Sequence, residues 1–500
     1  MKRLKRRLAC AAVAACAVSA VAAPLAAAAP QVPAPKLHWS PCPRQTDMQC
    51  TRMSVPLSYR DLRGGHMKVF LYRSPASDPA HRIGTLFVNF GGPGEPASDI
   101  FAAYGTDLNH LWPGLNARYD VIAMDPRGVG RSENVDCRVD ELTQSFIRRP
   151  YTTPASLNVK TMVAKDKAYI RACIRRNPHI LAHLSTANVA RDMDLLRRAV
   201  GERKLTYLGY SYGTFLGATY ASMFPHNYRA MVLDGPIDAD AYVNDPMADL
   251  NARSEGYERA LERFFQACAR DQVACSGFGG RDPWTEFDKL VARADRHAIP
   301  AGKLRPVTGD DILWAARNAV YAKAAWGDLG KALAMADAGD ATLIRQSLTP
   351  EDTRDSHFAI GAGEQRYPHD VSTYLRAGLR SWTEHDHFWF NDGYVELNYG
   401  LWPIHDKDAF YGPFRVPRTA VTPLVVATTF DPATPYRGAL NLVRELGNAR
   451  LLTMRGDGHT AYPGSSPCID AAVNGYLLGG KLPPAGTFCD QEVPFTAPSS

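Results

Sequence analysis

Short apolar runs alternate with amphipathic stretches in two parts of the chain, residues 48–236 and 422–460. Most runs are brief and end in a glycine- or proline-rich turn, which is typical of a buried strand rather than a buried helix. The stretches between them, such as residues 187–200, have the spacing of amphipathic helices. This alternation predicts the α/β class, with a mostly parallel sheet covered by helices on both faces. The predicted strands are residues 48–59, 66–74, 83–90, 119–124, 205–209, 229–233, 423–429 and 450–454.

The pattern changes between residues 237 and 421, where helical spacing dominates and no strand-like run stands out. Residues 254–270 and 308–336 are the clearest helical stretches. We therefore expect a helical cap at 237–421, inserted into an α/β core made of residues 37–236 and 422–500. Aromatic side chains concentrate at residues 382–402. They could line a substrate cleft, and ordinary packing of cap helices explains them about as well.

The N-terminus has the features of a secretory signal peptide, predicted at residues 1–29. Residues 2–7 are strongly basic, an alanine-rich apolar stretch follows, and a proline-rich leader occupies residues 30–36. The apolar stretch is too weakly hydrophobic for a stable membrane span. Residues 13–16 also resemble a lipoprotein processing box ending in Cys16, although the apolar region before it is short. The sequence thus predicts a secreted, extracellular protein, with the cleavage site, further trimming and lipidation left open.

The charge of the chain argues against a nucleic-acid partner. The formal net charge is +6, but the basic residues of the signal supply most of it. Its removal leaves a net charge of about +1, too small for a basic binding surface. We expect a monomer that binds no nucleic acid and needs no cofactor.

The cysteine pattern predicts disulfides. Two of the ten cysteines lie in the signal, and an even number remains in an exported chain, where disulfides persist. Many pairings are possible, but nearness in sequence favours four of them. No cysteine or histidine cluster has zinc-ligand spacing, so we expect no metal site. The favoured pairs are Cys42–Cys50, Cys137–Cys173, Cys268–Cys275 and Cys468–Cys489.

The stretch Gly209-Tyr210-Ser211-Tyr212-Gly213 joins a predicted strand to a predicted helix. It is a G-x-S-x-G pattern, in which a tight strand-to-helix turn lifts the serine hydroxyl above the sheet edge. The flanking glycines keep Cβ atoms out of the crowded turn. Ser211 is therefore the candidate nucleophile, and an ordinary glycine-rich turn is the alternative interpretation.

A serine nucleophile needs a base and an acid that orients the base. Asp431 follows the strand at 423–429, and His459 follows the strand at 450–454. The order serine, aspartate, histidine is that of the α/β-hydrolases. Asp431 could instead cap a turn, and His459 could be a plain loop histidine. Asp457 could compete as the acid, but it lies only two residues from His459 on one loop, so we favour Asp431.

The oxyanion of acyl transfer needs at least two preorganised amides. One candidate is the N–H of Tyr212, immediately after the nucleophile. The other is Gly92 in the turn Gly91-Gly92-Pro93-Gly94, with Gly91 next in preference. A separate turn contains Arg127, which we expect to pair with a buried carboxylate rather than with substrate.

Five motifs together resemble the secreted bacterial tripeptidyl aminopeptidases, which are related to the prolyl aminopeptidases of the α/β-hydrolase superfamily. The resemblance spans residues 37–495 and is weakest in the cap. It implies the α/β-hydrolase fold with an inserted, mainly helical cap. After G-G-P-G many members continue with small residues, whereas this chain has Glu95. The motifs are N-F-G-G-P-G at 89–94, D-P-R-G-V-G-R-S at 125–132, G-Y-S-Y-G-T at 209–214, T-F-D-P-A-T-P at 429–435 and G-D-G-H-T at 456–460.

The resemblance also implies a reaction: release of short peptides, tripeptides first, from the free N-termini of peptides or proteins through an acyl-enzyme. Such a site needs a carboxylate to pair the substrate ammonium in a partly shielded pocket. Candidates are Glu95, Glu364 and Glu396, with Glu384 and Asp386 as further possibilities. The alternatives are a secreted esterase or lipase-like hydrolase, which needs no free amine, and a non-catalytic binding protein on a hydrolase scaffold.

Overall fold

The computed structural model describes residues 32–43, 45–104, 108–137, 154–348, 354–389, 394 and 396–497. The predicted signal peptide and the first residues of the predicted leader lie outside these ranges. The described residues from Ala34 onward pack as one compact unit. In the part of the chain that the structure describes, no helix is long and apolar enough to cross a membrane.

A ten-stranded sheet forms the centre of this unit, with the strand order β1-β2-β3-β5-β4-β6-β7-β10-β11-β12. The first three strands and the β3–β5 pair are antiparallel. From β5 through β12 neighbouring strands run parallel. The strands are β1 Ser40–Cys42, β2 Gln45–Pro56, β3 His66–Ser74, β4 Gly84–Asn89, β5 Tyr119–Asp125, β6 Leu205–Tyr210, β7 Tyr228–Asp234, β10 Leu424–Phe430, β11 Arg450–Asp457 and β12 Phe488–Asp490, and a separate hairpin contains β8 Ile299–Ala301 and β9 Leu304–Val307.

The central strands are covered on both faces, as their apolar runs predict. Every residue of β4 and β6 is buried, which is typical of parallel strands between two helical layers. The predicted α/β class is confirmed. The sheet also gains β1 and β12, which the sequence pattern missed because three-residue edge strands carry no period of their own.

Helices before β7 and after β10 connect strands of the sheet. The helix Tyr212–Met223 follows β6 directly, so the end of that strand turns straight into a helix. These helices are α1 Ala97–Tyr104, α2 Leu108–Leu111, α3 Leu115–Arg118, α4 Val159–Arg176, α5 Thr186–Ala199 and α6 Tyr212–Met223, followed near the C-terminus by α16 Tyr436–Leu446 and α17 Pro467–Gly479.

The chain between β7 and β10, which we call the insertion, is mainly helical. Its helices enclose an apolar cluster of their own, which includes Phe264, Phe287, Trp326 and Leu333. The expectation of no strands here was wrong, because β8 and β9 form a short antiparallel hairpin. The helices are α7 Ala239–Asn244, α8 Pro246–Arg270, α9 Pro283–Arg296, α10 Gly309–Ala319, α11 Trp326–Asp337, α12 Thr342–Ser347, α13 Arg354–Glu364, α14 Val371–Glu384 and α15 Leu397–Gly400.

The predicted helical stretch at 308–336 is in fact two helices. The helix α10 ends at Ala319, and α11 begins at Trp326 after a 3-10 turn at Lys323–Ala325. No glycine or proline marks this break. The carbonyl oxygen of Tyr321, within the break, accepts the N–H of His459 at 2.7 Å, and tertiary contacts of this kind can override helical propensity.

The four predicted disulfides are all present. Cys42–Cys50 joins β1 to β2, and Cys468–Cys489 joins α17 to β12. Each of these two bridges therefore attaches a three-residue edge strand that has few ladder hydrogen bonds to hold it.

Candidate active site

The turn between β6 and α6 holds Ser211 in a strained conformation. Its φ is 53° and its ψ is −123°, a region that costs a non-glycine residue free energy. A Cβ placed on Gly209 would lie 2.4 Å from the Gly213 carbonyl oxygen, so the turn cannot close around a larger residue there. The Thr214 hydroxyl donates to the Ser211 carbonyl at 2.5 Å. The elbow geometry that the motif predicts is therefore built into this turn.

Asp431 and His459 meet at the carboxyl ends of β10 and β11. His459 Nδ1 lies 2.9 Å from each carboxylate oxygen of Asp431. The carboxylate is 3% exposed and also accepts the N–H groups of Ala433 at 2.9 Å and Thr434 at 2.8 Å. With Nδ1 donating to Asp431, the lone pair of the neutral imidazole is on Nε2. That nitrogen is buried and has no hydrogen-bond partner among the described residues.

Asp234 links the serine turn to the histidine loop. Its main-chain carbonyl accepts the Ser211 N–H at 2.9 Å. Its carboxylate accepts the N–H groups of Ala461 at 3.0 Å and Tyr462 at 2.8 Å. No direct hydrogen bond joins Ser211 to His459 among the described contacts, and such bonds often form only when substrate binds. Burial raises the pKa of Asp234 to about 7.

Gly235, the next residue, brings the imidazole close to the elbow. A Cβ on Gly235 would lie 3.0 Å from His459 Cε1, so the ring lies directly on this turn. The sequence analysis did not single out Asp234, which directly follows the predicted strand at 229–233. An acidic residue at the carboxyl end of the strand beside the nucleophile strand was the available signal.

Asp457, the competing acid, faces a different group. Its carboxylate pairs with Arg263 of α8 through both guanidinium Nε and Nη2, the latter at 3.2 Å. Lys323 Nζ lies 3.6 Å from it. The structure therefore brings Asp431, and not Asp457, to the imidazole.

The glycine turn after β4 lies against the elbow. Gly91 and Gly92 have φ values of 107° and 100°, and a Cβ on Gly91 would lie 2.9 Å from the Ser211 Cβ. The Gly91 N–H already donates to Asn89 Oδ1 at 3.1 Å. No described residue accepts from the N–H of Gly92 or of Tyr212. Among the described residues these two amides thus lack an acceptor, as oxyanion donors must, whereas that of Gly91 is engaged.

Helix α13 of the insertion supports the same turn from the other side. His357 Nδ1 lies 2.9 Å from the Pro93 carbonyl oxygen, which it can reach only as a donor. A Cβ on Gly94 would lie 2.9 Å from the His357 main-chain nitrogen. His357 was not singled out from the sequence, and no local motif marks it.

Glu364 is the last residue of α13, and its buried carboxylate lies at the N-terminus of α5. It is 2% exposed, and it accepts the N–H of Thr186 at 2.7 Å and the hydroxyl of Thr186 at 2.8 Å. The same hydroxyl hydrogen-bonds the phenol of Tyr212. Burial raises the pKa of Glu364 to about 8, so the group is mostly protonated at neutral pH.

The other candidate carboxylates occupy different surroundings. Glu95 is half-buried in the oxyanion turn, where its Cγ would lie 3.4 Å from a Cβ on Gly92. Glu396 is buried, and its charge raises the pKa of Tyr367 and Tyr399, on which burial has the larger effect. Glu384 and Asp386 are exposed.

Arg127 pairs with a buried carboxylate, as its turn predicts. Its guanidinium forms a fork with Asp192, with Nε and Nη2 at 2.6 and 2.7 Å from the two oxygens. Both side chains are fully buried. The pair is therefore structural and has no free donor directed at substrate in this position.

One described group of residues has the chemistry and spacing of metal ligands: Cys137, Cys173 and Asp355. The two sulfurs are joined in a disulfide. Asp355 accepts the N–H of Cys137 and the hydroxyl of Tyr169, each at 2.7 Å. The group is thus occupied by protein contacts.

Two family profiles and several curated relatives match the chain. Residues 85–276 match the family described as α/β hydrolase fold, and residues 401–489 match the family described as TAP-like protein. The chain is 30% identical to the serine protease Hip1 of Mycobacterium tuberculosis over 91% of both proteins. It is 28% identical to a tripeptidyl aminopeptidase of Streptomyces lividans over 91% of this chain and 86% of that protein. It is 31% identical to a carboxylesterase B of Mycobacterium tuberculosis over 92% of this chain and 91% of that protein.

Proposed function

The chain belongs to the tripeptidyl aminopeptidase-like family of α/β-hydrolases, and from that premise we propose that it is a secreted serine exopeptidase that releases short peptides, tripeptides first, from free N-termini. The observation that carries the proposal is the pairing of His459 with Asp431 beside the strained Ser211. The strain at Ser211 and the hydrogen bonds that fix Asp431 and His459 support a preorganised catalytic site.

In this proposal Ser211 Oγ attacks the substrate carbonyl carbon while His459 Nε2 takes the hydroxyl proton. Asp431 holds the imidazole in the required tautomer and stabilises its positive charge. The N–H groups of Gly92 and Tyr212 donate to the oxyanion of the tetrahedral intermediate. The intermediate collapses, the C–N bond breaks, and the leaving amine takes the proton from His459. Water then attacks the acyl-enzyme with His459 as base, which frees the peptide acid and restores Ser211.

Exopeptidase selectivity requires an ionised carboxylate for the substrate ammonium. Glu364 suits this role least, because its oxygens already accept from Thr186 and its pKa is about 8. Glu95 is half-buried beside the oxyanion donors, and Glu396 lies among tyrosines of the insertion. We propose that Glu95 or Glu396 pairs the amine.

The insertion is proposed to act as a cap that restricts access and selects chain ends. Two contacts support this role: His357 on the oxyanion turn and the approach of Arg263 to the histidine loop. We also propose that the protein is exported, since the four disulfides fit an oxidising compartment.

A pair of chromogenic tripeptide amides, one with a free and one with an acetylated N-terminus, tests the proposal. We expect fast release of the chromophore from the free peptide and almost none from the acetylated peptide. The Ser211→Ala variant should release it from neither. Equal cleavage of both would contradict the exopeptidase assignment.

The second candidate is an esterase, which the similarity to a carboxylesterase B favours. The triad geometry serves esters and amides alike, so the residues at the site do not separate the two. Hydrolysis of short acyl esters, with neither tripeptide amide cleaved, would establish the esterase and reject the peptidase.

A further inference from the structure

Arg263, Tyr321 and Lys323 of the insertion contact Asp457 or His459. We propose that two of them, Arg263 and Tyr321, are positioning residues that set the imidazole for catalysis. The inference rests on the proposed function, since it assumes that His459 is the base. It assigns to the insertion a part in the chemistry besides control of access.

Arg263 contacts both loops of the Asp–His pair at once. Its guanidinium pairs with both oxygens of Asp457, two residues before His459. Its Cζ also lies 3.6 Å from the ring centroid of Phe430, the residue before Asp431. Phe430 and Asp457 are register partners on the neighbouring strands β10 and β11. One planar cation thus fixes the relative position of the two strand ends.

Tyr321 contacts His459 itself. The His459 main-chain N–H donates to the Tyr321 carbonyl oxygen at 2.7 Å, and the two rings meet edge to face with centroids 4.8 Å apart and planes at 73°. This carbonyl is free to accept because the chain leaves the helix after α10. Gly458, with φ of 97°, lets the loop pass close by, since a Cβ there would lie 3.2 Å from the same oxygen.

Besides the pairing of Asp431 with the imidazole, contacts from the core hold the main chain of the loop on either side of His459. Gln491 binds both main-chain polar groups of Asp457, at 3.0 and 2.7 Å, and Asp234 binds Ala461 and Tyr462. The His459 N–H is accepted by the insertion. The insertion therefore supplies the contact that the core lacks.

Removing Arg263 would leave a nearly buried carboxylate, Asp457, with only the longer contact to Lys323. An unpaired buried charge is costly, so the loop would rearrange to reach water. Such a shift moves the imidazole relative to Asp431 and Ser211. Small displacements of a catalytic group reduce the rate strongly, and the loss should therefore appear in kcat more than in KM.

The test is the rate of inactivation by a small alkyl fluorophosphonate, which forms a P–O bond to Ser211 and expels fluoride. This reaction needs the base but does not reach distant substrate subsites. We expect Arg263→Gln to slow inactivation and kcat on the order of tenfold, with KM changed by less than about twofold. Arg345→Gln is the matched control, because Arg345 pairs with Asp311 inside the insertion. We expect the reagent to inactivate the Arg345→Gln variant at the wild-type rate.

A double-mutant cycle separates positioning from general damage. Arg263→Gln and Asp457→Asn act through one ion pair, so the double variant should lose no more than the worse single variant. If Arg263→Gln does not fold, Arg263→Lys keeps the charge without the fork and should give a smaller loss, about threefold.

Unchanged inactivation in a folded Arg263 variant, or additive losses in the cycle, would overturn the inference. A raised KM with an unchanged inactivation rate would assign Arg263 to substrate binding instead, and would overturn it too. Failure of the wild-type protein to react, or labelling of Ser211→Ala, would reject the proposed triad itself. The two failures are therefore distinguishable.

Discussion

The α/β core and the inserted segment contribute to the site in different ways. The core supplies each proposed reacting group, and each lies in a short motif at the end of a strand: Ser211 after β6, Asp431 after β10, His459 after β11. The insertion supplies contacts to those motifs from residues far apart in sequence, such as Arg263, Tyr321 and His357. The proposed reacting groups therefore lie in local sequence motifs, whereas the residues that position them are brought together only by the tertiary fold.

The largest effect should come from the core nucleophile. Ser211→Ala removes the attacking oxygen, and we expect peptide hydrolysis to fall by about 10⁴-fold or more. Steady-state hydrolysis of the free tripeptide amide measures this. The thermal unfolding temperature should not fall, because alanine fits the same turn. A variant that retained substantial activity would show that the catalytic groups lie elsewhere.

The effects of replacing Asp431, which pairs with His459, and Asp457, which pairs with the insertion, should differ sharply. Asp431→Asn takes away the partner of His459 Nδ1 and should lower kcat by about 10³- to 10⁴-fold. Asp457→Asn weakens only the contact with Arg263 and should lower kcat about tenfold. Measuring both under identical conditions ranks a reacting-group contact against a positioning contact. Equal losses of kcat in the two variants would contradict this ranking.

The candidate amine carboxylates offer a finer test. Glu364 is already mostly protonated at pH 7, since its pKa is about 8. Glu364→Gln should therefore change kcat/KM for the free tripeptide by less than about threefold. If Glu95 pairs the ammonium, Glu95→Gln should raise KM about tenfold for the free peptide and leave slow cleavage of the acetylated one unchanged. The reverse pattern would assign the amine to Glu364.

The smallest effect on activity should come from replacing His387, which forms an ion cluster with two carboxylates of the insertion. His387 lies 3.0 Å from Glu258 and 2.9 Å from Asp288. Burial opposes its charge, but hydrogen bonds to Asp288 and Glu258 raise the pKa of His387 to about 9, above its ordinary value of 6.5. Because the folded pKa is the higher one, the charged cluster stabilises the fold fully below about pH 6.5. That stabilisation is lost as the pH rises through about 9.

Denaturant unfolding of His387→Gln checks this sign. At pH 6 the free energy of unfolding should drop by on the order of 2 kcal/mol, discounted because Asp288 is half exposed. At pH 10 the difference from wild type should be much smaller. A difference that grew with pH would mean that His387 is neutral in the fold.

The sequence predicted the core well because its signals are local. Buried strands show as apolar runs, and the serine, aspartate and histidine each follow one of those runs. The edge strands β1 and β12 were not predicted because three residues are too few to show a hydrophobic period. Asp234 was visible at a strand end, but its role depends on Ala461 and Tyr462, which lie 227 and 228 residues away.

The contacts of the insertion with the core could not be predicted, because they join residues that are far apart in sequence. Residues 320–325, between the two helices, contain no glycine or proline, so no local helix breaker predicts the interruption. Within this break, the Tyr321 carbonyl accepts the N–H of His459. Arg263 and Asp457 are 194 residues apart, and no spacing rule connects them. Only the fold brings them together.

The most direct test of the central claim is intact-protein mass spectrometry of the enzyme quenched soon after mixing with a free tripeptide ester. We predict a mass increase of one tripeptidyl group, mapped to Ser211 by digestion and absent from Ser211→Ala. The acetylated ester should give little or no adduct. An adduct at another residue, or equal acylation by the blocked and free esters, would contradict a serine exopeptidase that works from free N-termini.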